Sequence, residues 1–270
     1  FEGDEKQDFV AAVEELAAAI AEPSSDMFPR LKLFGRQQLE GASFEAELAG
    51  GRAGMALLFL YRSLARRPHR ECVITERVLN PALASVPMAP PHLGLYSGLP
   101  GVARAATHSQ DRLSTETARD RCQRVDEDPF AAVDRFLLRH LSADQGERNF
   151  DLVSGLVGIG VYALERLPRP AAKDILSLVL EHIAGLARAQ AAGIAWPTSP
   201  GQLPPEELPL PPAGRYDLGM AHGNAGVIGF LSAARARGGA DTNSLLAGAV
   251  AWMLAQRPIG GSKAKFPYWT

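Results

Sequence analysis

The sequence predicts an all-α fold built from repeated helical hairpins, and two observations support that prediction. A glycine-rich phrase recurs at residues 48–54, 95–101, 152–158 and 220–226, and each copy leads into an apolar run without the alternation typical of strands. The second glycines of the phrases stand at 54, 101, 158 and 226, so the intervals are 47, 57 and 68 residues. Such intervals suit a hairpin repeat with insertions of variable length.

Each phrase is followed by a predicted inner helix, and amphipathic outer helices lie between the phrases. The inner helices are predicted around residues 55–60, 102–106, 159–164 and 227–233. Apolar residues at helical spacing predict outer helices at 129–141 and 173–189, and one further helix at 8–21 outside the first repeat. Alternating runs and two-residue hairpin turns are scarce, so no sheet is predicted.

Two insertions interrupt a chain that we expect to form a single domain over residues 1–270. Residues 107–128 are polar and charged with few apolar anchors, which predicts a mobile connector. Residues 193–215 contain seven prolines and predict an extended loop without helix. Because this loop ends just before the fourth phrase, it is placed to form a wall or lid there.

The composition is that of a soluble protein. Hydrophobic residues make up 46% of the chain, charged residues 21%, and the formal net charge is −2. No nucleic-acid partner is expected from that charge, and no uninterrupted apolar run approaches the roughly 18 residues of a membrane span. Two cysteines and the lack of a secretion-signal layout indicate a reducing, cytoplasmic location.

The glycines themselves favour an architectural role. A turn that leads straight into a packed helix needs either a positive φ or close backbone approach, and glycine allows both. None of the four phrases continues into the Lys-Ser or Lys-Thr ending of a phosphate-binding loop.

The residue before the first shared glycine differs between phrases and singles out the fourth. It is Gly50, Ser97, Ser154 and then His222, so only the fourth phrase carries a titratable ring there. Histidine is the usual group for proton transfer near neutral pH, which makes His222 a catalytic candidate. A capping or core role is the alternative.

Two carboxylates are candidates of the same kind. Asp151 stands four residues before Gly155, where the other phrases carry Glu47, Gly94 and Gly219. It is suited either to cap the next helix or to point into a central cavity. Asp217 is a further candidate, with a turn role as its alternative.

Three stretches resemble the lanthionine synthetase cyclases of lantibiotic biosynthesis, of the stand-alone bacterial type. They are Asp-Leu-Val-Ser-Gly-Leu-Val-Gly-Ile-Gly at 151–160, Trp-Pro at 196–197, and Asp-Leu-Gly-Met-Ala-His-Gly-Asn-Ala-Gly at 217–226. The resemblance implies an α/α toroid of seven hairpins, four of them present here. It also implies a zinc ion that activates a cysteine thiol of a dehydrated precursor peptide. The thiol then adds to dehydroalanine or dehydrobutyrine and closes a thioether ring.

By the same resemblance His222 and Asp151 match the catalytic histidine and aspartate of the family, and the cognate dehydratase is an expected partner. The family's zinc ligands are a cysteine in a Trp-Cys phrase and a Cys-His pair, both after the fourth repeat. Cys72 and Cys122 do not match them, so both are predicted to be ordinary thiols and no residue here is predicted to bind metal. We therefore expect a chain that stops before the zinc repeats and is inactive by itself.

Two other functions are consistent with the sequence. One is a noncatalytic scaffold that binds a leader peptide or partner enzyme and is indifferent to zinc and to His222→Ala. The other is an unrelated α/α-toroid enzyme such as a glycosidase, which requires two carboxylates about 5 to 10 Å apart. Asp151 and Asp217 are the pair to examine for that activity.

Overall fold

The structure is a computed structural model that describes residues 46–66, 69–85, 93–113, 128–143, 149–199, 215–238, 240–258 and 265–270. The helix predicted at 8–21 lies outside these residues. The helices and strands within them are α1 (Arg52–Arg66), α2 (His69–Ser85), α3 (Leu99–Leu113), α4 (Ala131–Leu141), α5 (Leu156–Arg166), α6 (Pro170–Leu186), β1 (Arg188–Gln190), β2 (Gly193–Ala195), α7 (Asn224–Gly238) and α8 (Asn243–Ala255).

The chain divides into two compact units, and α3 contributes to both. The first unit holds α1, α2 and the part of α3 from residue 105 onward. Helices α1 and α2 pack against each other as a hairpin. The Tyr61 hydroxyl lies 2.8 Å from Nε2 of His108, which links α1 to α3 inside this unit.

The second unit holds residues 93–104 and the described residues from 128 to the end of the chain. Helix α5 packs against α6 and α7, α6 also packs against α4, and α7 against α8. The helices that follow the third and fourth glycine phrases, α5 and α7, are therefore each paired with the next helix along the chain. Both α5 and α6 contribute fully buried side chains to the core: Leu156, Ile159, Tyr162, Ile175, Val179 and Ile183. Across the described ranges no helix is both long and apolar enough to span a membrane.

Several glycines of the phrases are required because a Cβ at their positions would collide with neighbouring backbone atoms. A Cβ at Gly155 would collide with the carbonyl oxygen of Asn149, and one at Gly223 with that of Asp217, each six residues earlier. At Gly158 a Cβ would lie 2.5 Å from the Leu152 oxygen and 2.8 Å from another Cβ. The one positive φ among the described glycines is at Gly193, so close backbone approach is what these phrases need.

Helix α3 continues beyond the point where the sequence predicts a connector. Residue 107 was the expected start of that connector, yet α3 ends at Leu113. Thr107, His108 and Ser109 are buried, so packing holds a polar stretch in the helix despite its composition. Residues 114–127 lie outside the described part of the chain, and the predicted mobility there stays a prediction.

A short hairpin stands where the sequence predicts the end of a helix and no strand. Helix α6 ends at Leu186, and β1 and β2 then pair antiparallel. The turn depends on Gly193, whose φ of 148° strains other residues. Helix α8 packs on β2, and this tertiary contact outweighs the local helical pattern. Helices α2 and α8 were not among the predicted helices either.

Candidate functional site

The third glycine phrase forms the turn that leads into α5, and backbone hydrogen bonds hold this turn in place. The N–H groups of residues 156–158 donate to the carbonyl oxygens of residues 149–151, at 2.8, 3.3 and 3.4 Å. The first helical N–H groups are thus satisfied by backbone, and Gly155 at the N-cap makes no side-chain capping bond. The Asp151 carboxylate is consequently available for another role.

Asp151 is 4% exposed and its two carboxylate oxygens serve different partners. Oδ1 accepts the Ser154 N–H at 2.7 Å and the Ser154 hydroxyl at 3.4 Å. The backbone N–H of Asp151 donates to Oδ1 of Asn149 at 2.9 Å. Oδ2 is directed to the fourth phrase, where it lies 2.7 Å from Nδ1 of His222.

His222 stands on the turn before α7, with half of its side-chain surface exposed. Its turn is joined to that of Asp151 by backbone as well, since the Leu152 N–H donates to the Ala221 carbonyl at 3.0 Å. The structure thus brings together the two residues that the sequence proposed as catalytic. Asp151 is buried, whereas half of the His222 side chain is exposed to solvent.

The charge state of Asp151 determines which nitrogen of His222 carries a proton. Burial raises the pKa of Asp151, but the His222 hydrogen bond and charge, the Ser154 N–H and the Asn149 side chain together hold that pKa below its ordinary value. The carboxylate is therefore ionised near neutral pH and only accepts hydrogen bonds. Nδ1 of His222 must donate to it, which makes Nε2 the atom that exchanges protons.

Asp217 serves the fourth turn. Its carbonyl accepts the Asn224 N–H at 2.8 Å, and its Oδ1 accepts the Gly219 N–H at 2.7 Å. Arg215 lies 3.6 Å from its Oδ2. Of the two roles that the sequence left open for Asp217, the structure shows the turn role.

Trp196 is part of the core. It is fully buried, and its indole N–H donates to the Ile183 carbonyl at 2.8 Å. Asn224 accepts the Trp196 backbone N–H at 2.8 Å and donates to the carbonyls of Trp196 and Asp217 at 3.1 and 2.9 Å. The Trp-Pro stretch is therefore tied to the His222 turn through one buried amide.

Two residues of this site were missed by sequence reasoning. Asn224 follows the first shared glycine, where the other phrases carry Arg52, Leu99 and Leu156, so a polar residue in place of the two leucines was only a weak signal. Asn149 stands two residues before Asp151, and that spacing is typical of an Asx turn.

The described residues do not fit a zinc ion. Catalytic zinc usually has three protein ligands, whereas Asp151 and His222 are two groups bonded to each other. In the part of the chain that the structure describes, no three His, Cys, Asp or Glu residues lie together as a metal site. Cys122 and the Cys72 side chain lie outside that part.

An apolar cavity of about 730 Å³ lies beside the His222 turn. Its wall comes from that turn, from α7 and α8, and from the last described segment: Leu218, Gly219, Met220, Ala225, Ile228, Gly229, Met253, Phe266, Pro267 and Tyr268. Met220 is 59% exposed and Tyr268 is 67% exposed. The cavity thus offers apolar surface to a ligand that reaches the His222 turn.

Comparisons with known proteins agree with this fold and with the sequence resemblance. A solved structure of nisin cyclase superposes with a TM-score of 0.61 at 13% sequence identity and covers 94% of this chain. The chain spans 65% of the length of nisin cyclase. This similarity confirms the α/α-toroid fold class, while the number of repeats stays a prediction. No curated protein matches the chain. The family model described as lanthionine synthetase C-like protein matches residues 43–269, and the chain therefore belongs to that family.

Proposed function

We propose that this protein is a lanthionine-forming peptide cyclase in which His222 and Asp151 act as the acid–base pair. The contact of 2.7 Å between His222 Nδ1 and Asp151 Oδ2 carries the proposal, because it prepares one imidazole for proton transfer. Family membership supplies the reaction class. The proposed substrate is a precursor peptide that a dehydratase has already converted to its dehydroalanine or dehydrobutyrine form.

The reaction is a conjugate addition. The thiolate sulfur of a peptide cysteine attacks the β-carbon of the dehydroamino acid and forms the C–S bond. The electron pair of the C=C bond moves toward the adjacent carbonyl and gives an enolate. His222 then donates its Nε2 proton to the α-carbon. The proton released by the thiol is taken up by His222, which returns the imidazole to its protonated form.

Asp151 supports this step in two ways. Its Oδ2 accepts the Nδ1 proton, which holds the ring in one orientation and assigns proton exchange to Nε2. Its negative charge also stabilises the imidazolium that precedes proton donation. Burial protects that carboxylate from water, so the interaction is stronger than between exposed groups.

Ring formation by the wild-type chain and by His222→Ala tests the proposal. A dehydrated peptide with one cysteine is incubated with each protein, with and without added zinc, and the remaining thiol is counted by alkylation and mass spectrometry. We expect His222→Ala to slow ring formation by about 10²- to 10⁴-fold. Equal rates would contradict the role of His222.

A second assay isolates the proton-transfer step. A small thiol with a low pKa, such as an aryl thiol, is added near neutral pH to a peptide that contains dehydroalanine but no cysteine, so that the nucleophile is already largely thiolate while His222 can still carry its Nε2 proton. The wild-type chain should accelerate this addition and His222→Ala should not, because the nucleophile needs no activation. No acceleration by the wild-type chain would contradict the proposed acid role.

Three finer expectations stay predictions and have their own tests. The zinc requirement is checked by elemental analysis of the purified protein. The inactivity that the sequence leads us to expect of the chain by itself is the opposite of the proposed activity, and an absence of ring formation by the wild-type chain in the cysteine-peptide assay would support that expectation against the proposal. The dehydratase partner is checked by co-purification with the cognate enzyme.

A peptide-binding scaffold is the second candidate, and the apolar cavity beside the His222 turn favours it. Under this alternative the chain binds a dehydrated peptide with the same affinity in its wild-type and His222→Ala forms, and accelerates neither thiol addition. Fluorescence anisotropy of a labelled peptide shows whether both proteins bind it, and the two thiol-addition assays then separate a scaffold, which accelerates neither reaction, from a cyclase. Ile228→Asp should weaken binding in either case, because it places a charge in the cavity wall.

A further inference from the structure

Asn149 makes several contacts that converge on the Asp151 turn. Its side-chain oxygen accepts the Asp151 N–H at 2.9 Å, and its Nδ2 lies 3.5 Å from the Ser154 hydroxyl. Its backbone carbonyl accepts the Leu156 N–H at 2.8 Å. One asparagine thus holds the backbone of Asp151, contacts the residue that binds Asp151 Oδ1, and anchors the start of α5.

The fourth turn shows what this position requires of its residue. Asp217 stands seven residues before Asn224 as Asn149 stands seven before Leu156, and both backbone carbonyls accept those N–H groups at 2.8 Å. Asp217 also uses Oδ1 to accept the N–H two residues on, at 2.7 Å. The turn therefore forms with either an amide or a carboxylate at this position.

We propose that Asn149 is a positioning residue for the Asp151–His222 pair, since its neutral amide holds the Asp151 turn without placing a second negative charge beside the pair. The effect of Asn149 on catalysis rests on the proposed function, whereas its hydrogen bonds in the Asp151 turn do not. Asn149 acts on the reaction only through Asp151.

Charge explains why the third turn uses the amide while the fourth tolerates a carboxylate. The Asp217 carboxylate has Arg215 at 3.6 Å. A carboxylate at 149 would instead stand next to the ionised Asp151, and like charges at this distance repel. Burial already pushes the pKa of Asp151 upward, and the Asn149 side chain is among the groups that hold it down.

The first test compares Asn149→Ala with Thr242→Ala by NMR of the unliganded chain. Thr242 is a matched control because its hydroxyl makes a buried hydrogen bond of 3.1 Å to the Leu231 carbonyl, before α8. A ring proton held between His222 Nδ1 and a carboxylate gives a downfield signal. We expect Asn149→Ala to weaken or abolish that signal and Thr242→Ala to retain it. An unchanged signal in Asn149→Ala would overturn the inference.

The second test uses Asn149→Asp, which keeps the turn bond and adds the charge. We expect it to fold like the wild-type chain, because Asp217 already makes this turn, and to move the acid limb of the pH–rate profile to higher pH. The profile is measured with the small-thiol assay as the ratio of the catalysed to the uncatalysed rate at each pH, so that protonation of the thiol itself cancels. A wild-type profile would overturn the inference, and this variant remains informative if Asn149→Ala does not fold.

Kinetics distinguishes positioning from a loss of stability. Asn149→Ala should lower kcat per folded molecule by about tenfold with little change in KM, as is typical when a supporting hydrogen bond is lost. Thr242→Ala should leave kcat per folded molecule unchanged. Equal losses in the two variants would make Asn149 purely structural.

The NMR result separates this inference from the proposed function. If the downfield signal responds to Asn149→Ala while the wild-type chain does not accelerate thiol addition, the positioning role stands and the cyclase proposal fails. If thiol addition depends on His222 while the signal is indifferent to Asn149, the cyclase proposal stands and the positioning role fails.

Discussion

The Nδ1 atom of His222 lies 2.7 Å from Oδ2 of Asp151, although 71 residues separate the two in the chain. His222 belongs to the fourth glycine phrase and Asp151 immediately precedes the third, and the two phrases are joined beside the pair by the hydrogen bond from the Leu152 N–H to the Ala221 carbonyl. The packing of one repeat on the next therefore sets the geometry of the pair. A substitution that shifts either phrase should therefore disturb the Asp151–His222 hydrogen bond even if the substituted residue contacts neither side chain.

Replacement of Asp151 by asparagine should slow thiol addition, because the amide no longer supplies the negative charge that stabilises the His222 imidazolium. The double variant Asp151→Asn/His222→Ala should be no slower than His222→Ala alone, since residues that act as a unit are not additive. The small-thiol assay measures all three proteins. Asp174→Asn, at an exposed position on α6, is the matched control and should behave like the wild type. A double variant slower by the product of the single effects would show that the two residues act independently.

Stability should depend on the protonation of Asp151 at acid pH. Its pKa in the folded protein lies below the ordinary value of 3.8, so protons bind the unfolded chain more readily. The stabilisation is fully present above the unfolded pKa and is lost as pH falls through the folded pKa. In urea unfolding at about pH 5, 4 and 3, the free energy of unfolding should therefore fall less steeply with decreasing pH for Asp151→Asn than for the wild type. Parallel curves would contradict this linkage.

A methyl group at Gly158 should destabilise the second unit. It would stand 2.8 Å from the Leu95 Cβ and 2.5 Å from the Leu152 oxygen, and backbone atoms do not move aside cheaply. We expect Gly158→Ala to lower the free energy of unfolding by about 1–3 kcal/mol. Gly185→Ala on α6 is the control, since nothing lies within 4 Å of its added Cβ, and it should stabilise by about 0.5–1 kcal/mol. Thermal and urea unfolding measure both variants, and equal effects would contradict the packing argument.

A buried polar cluster should contribute to stability and not to catalysis. Arg166 is fully buried and forms ion pairs with Asp128 and, at 2.6 Å, with Asp134. The Tyr162 hydroxyl donates to the other oxygen of Asp134 at 2.6 Å. Tyr162→Phe should therefore lower the free energy of unfolding by about 1.5–3 kcal/mol, as expected for loss of a hydrogen bond to a charged group. The exposed Tyr268→Phe should cost almost nothing. Urea unfolding tests this, and a specific loss of kcat in Tyr162→Phe would argue for a role in the reaction.

Part of the candidate site was predictable from the repeat alone. Alignment of the phrases singled out His222 as the one titratable ring before a shared glycine, and Asp151 as a carboxylate at a fixed offset. The same alignment left Asp217 with two possible roles, because an Asx turn and a catalytic carboxylate use the same residue type. Asn149 was overlooked since its effect comes through hydrogen bonds to its neighbours.

The sequence by itself determined the helices that follow the glycine phrases, the close backbone approach that their glycines permit, and membership of the lanthionine synthetase C-like family. These features depend on residues within a few positions of each other. Only the tertiary structure decided that Asp151 turns Oδ2 to His222, that Asp217 serves a turn, and that β1 and β2 follow α6. Such outcomes depend on which distant segments pack together, and local propensity carries no information about that packing.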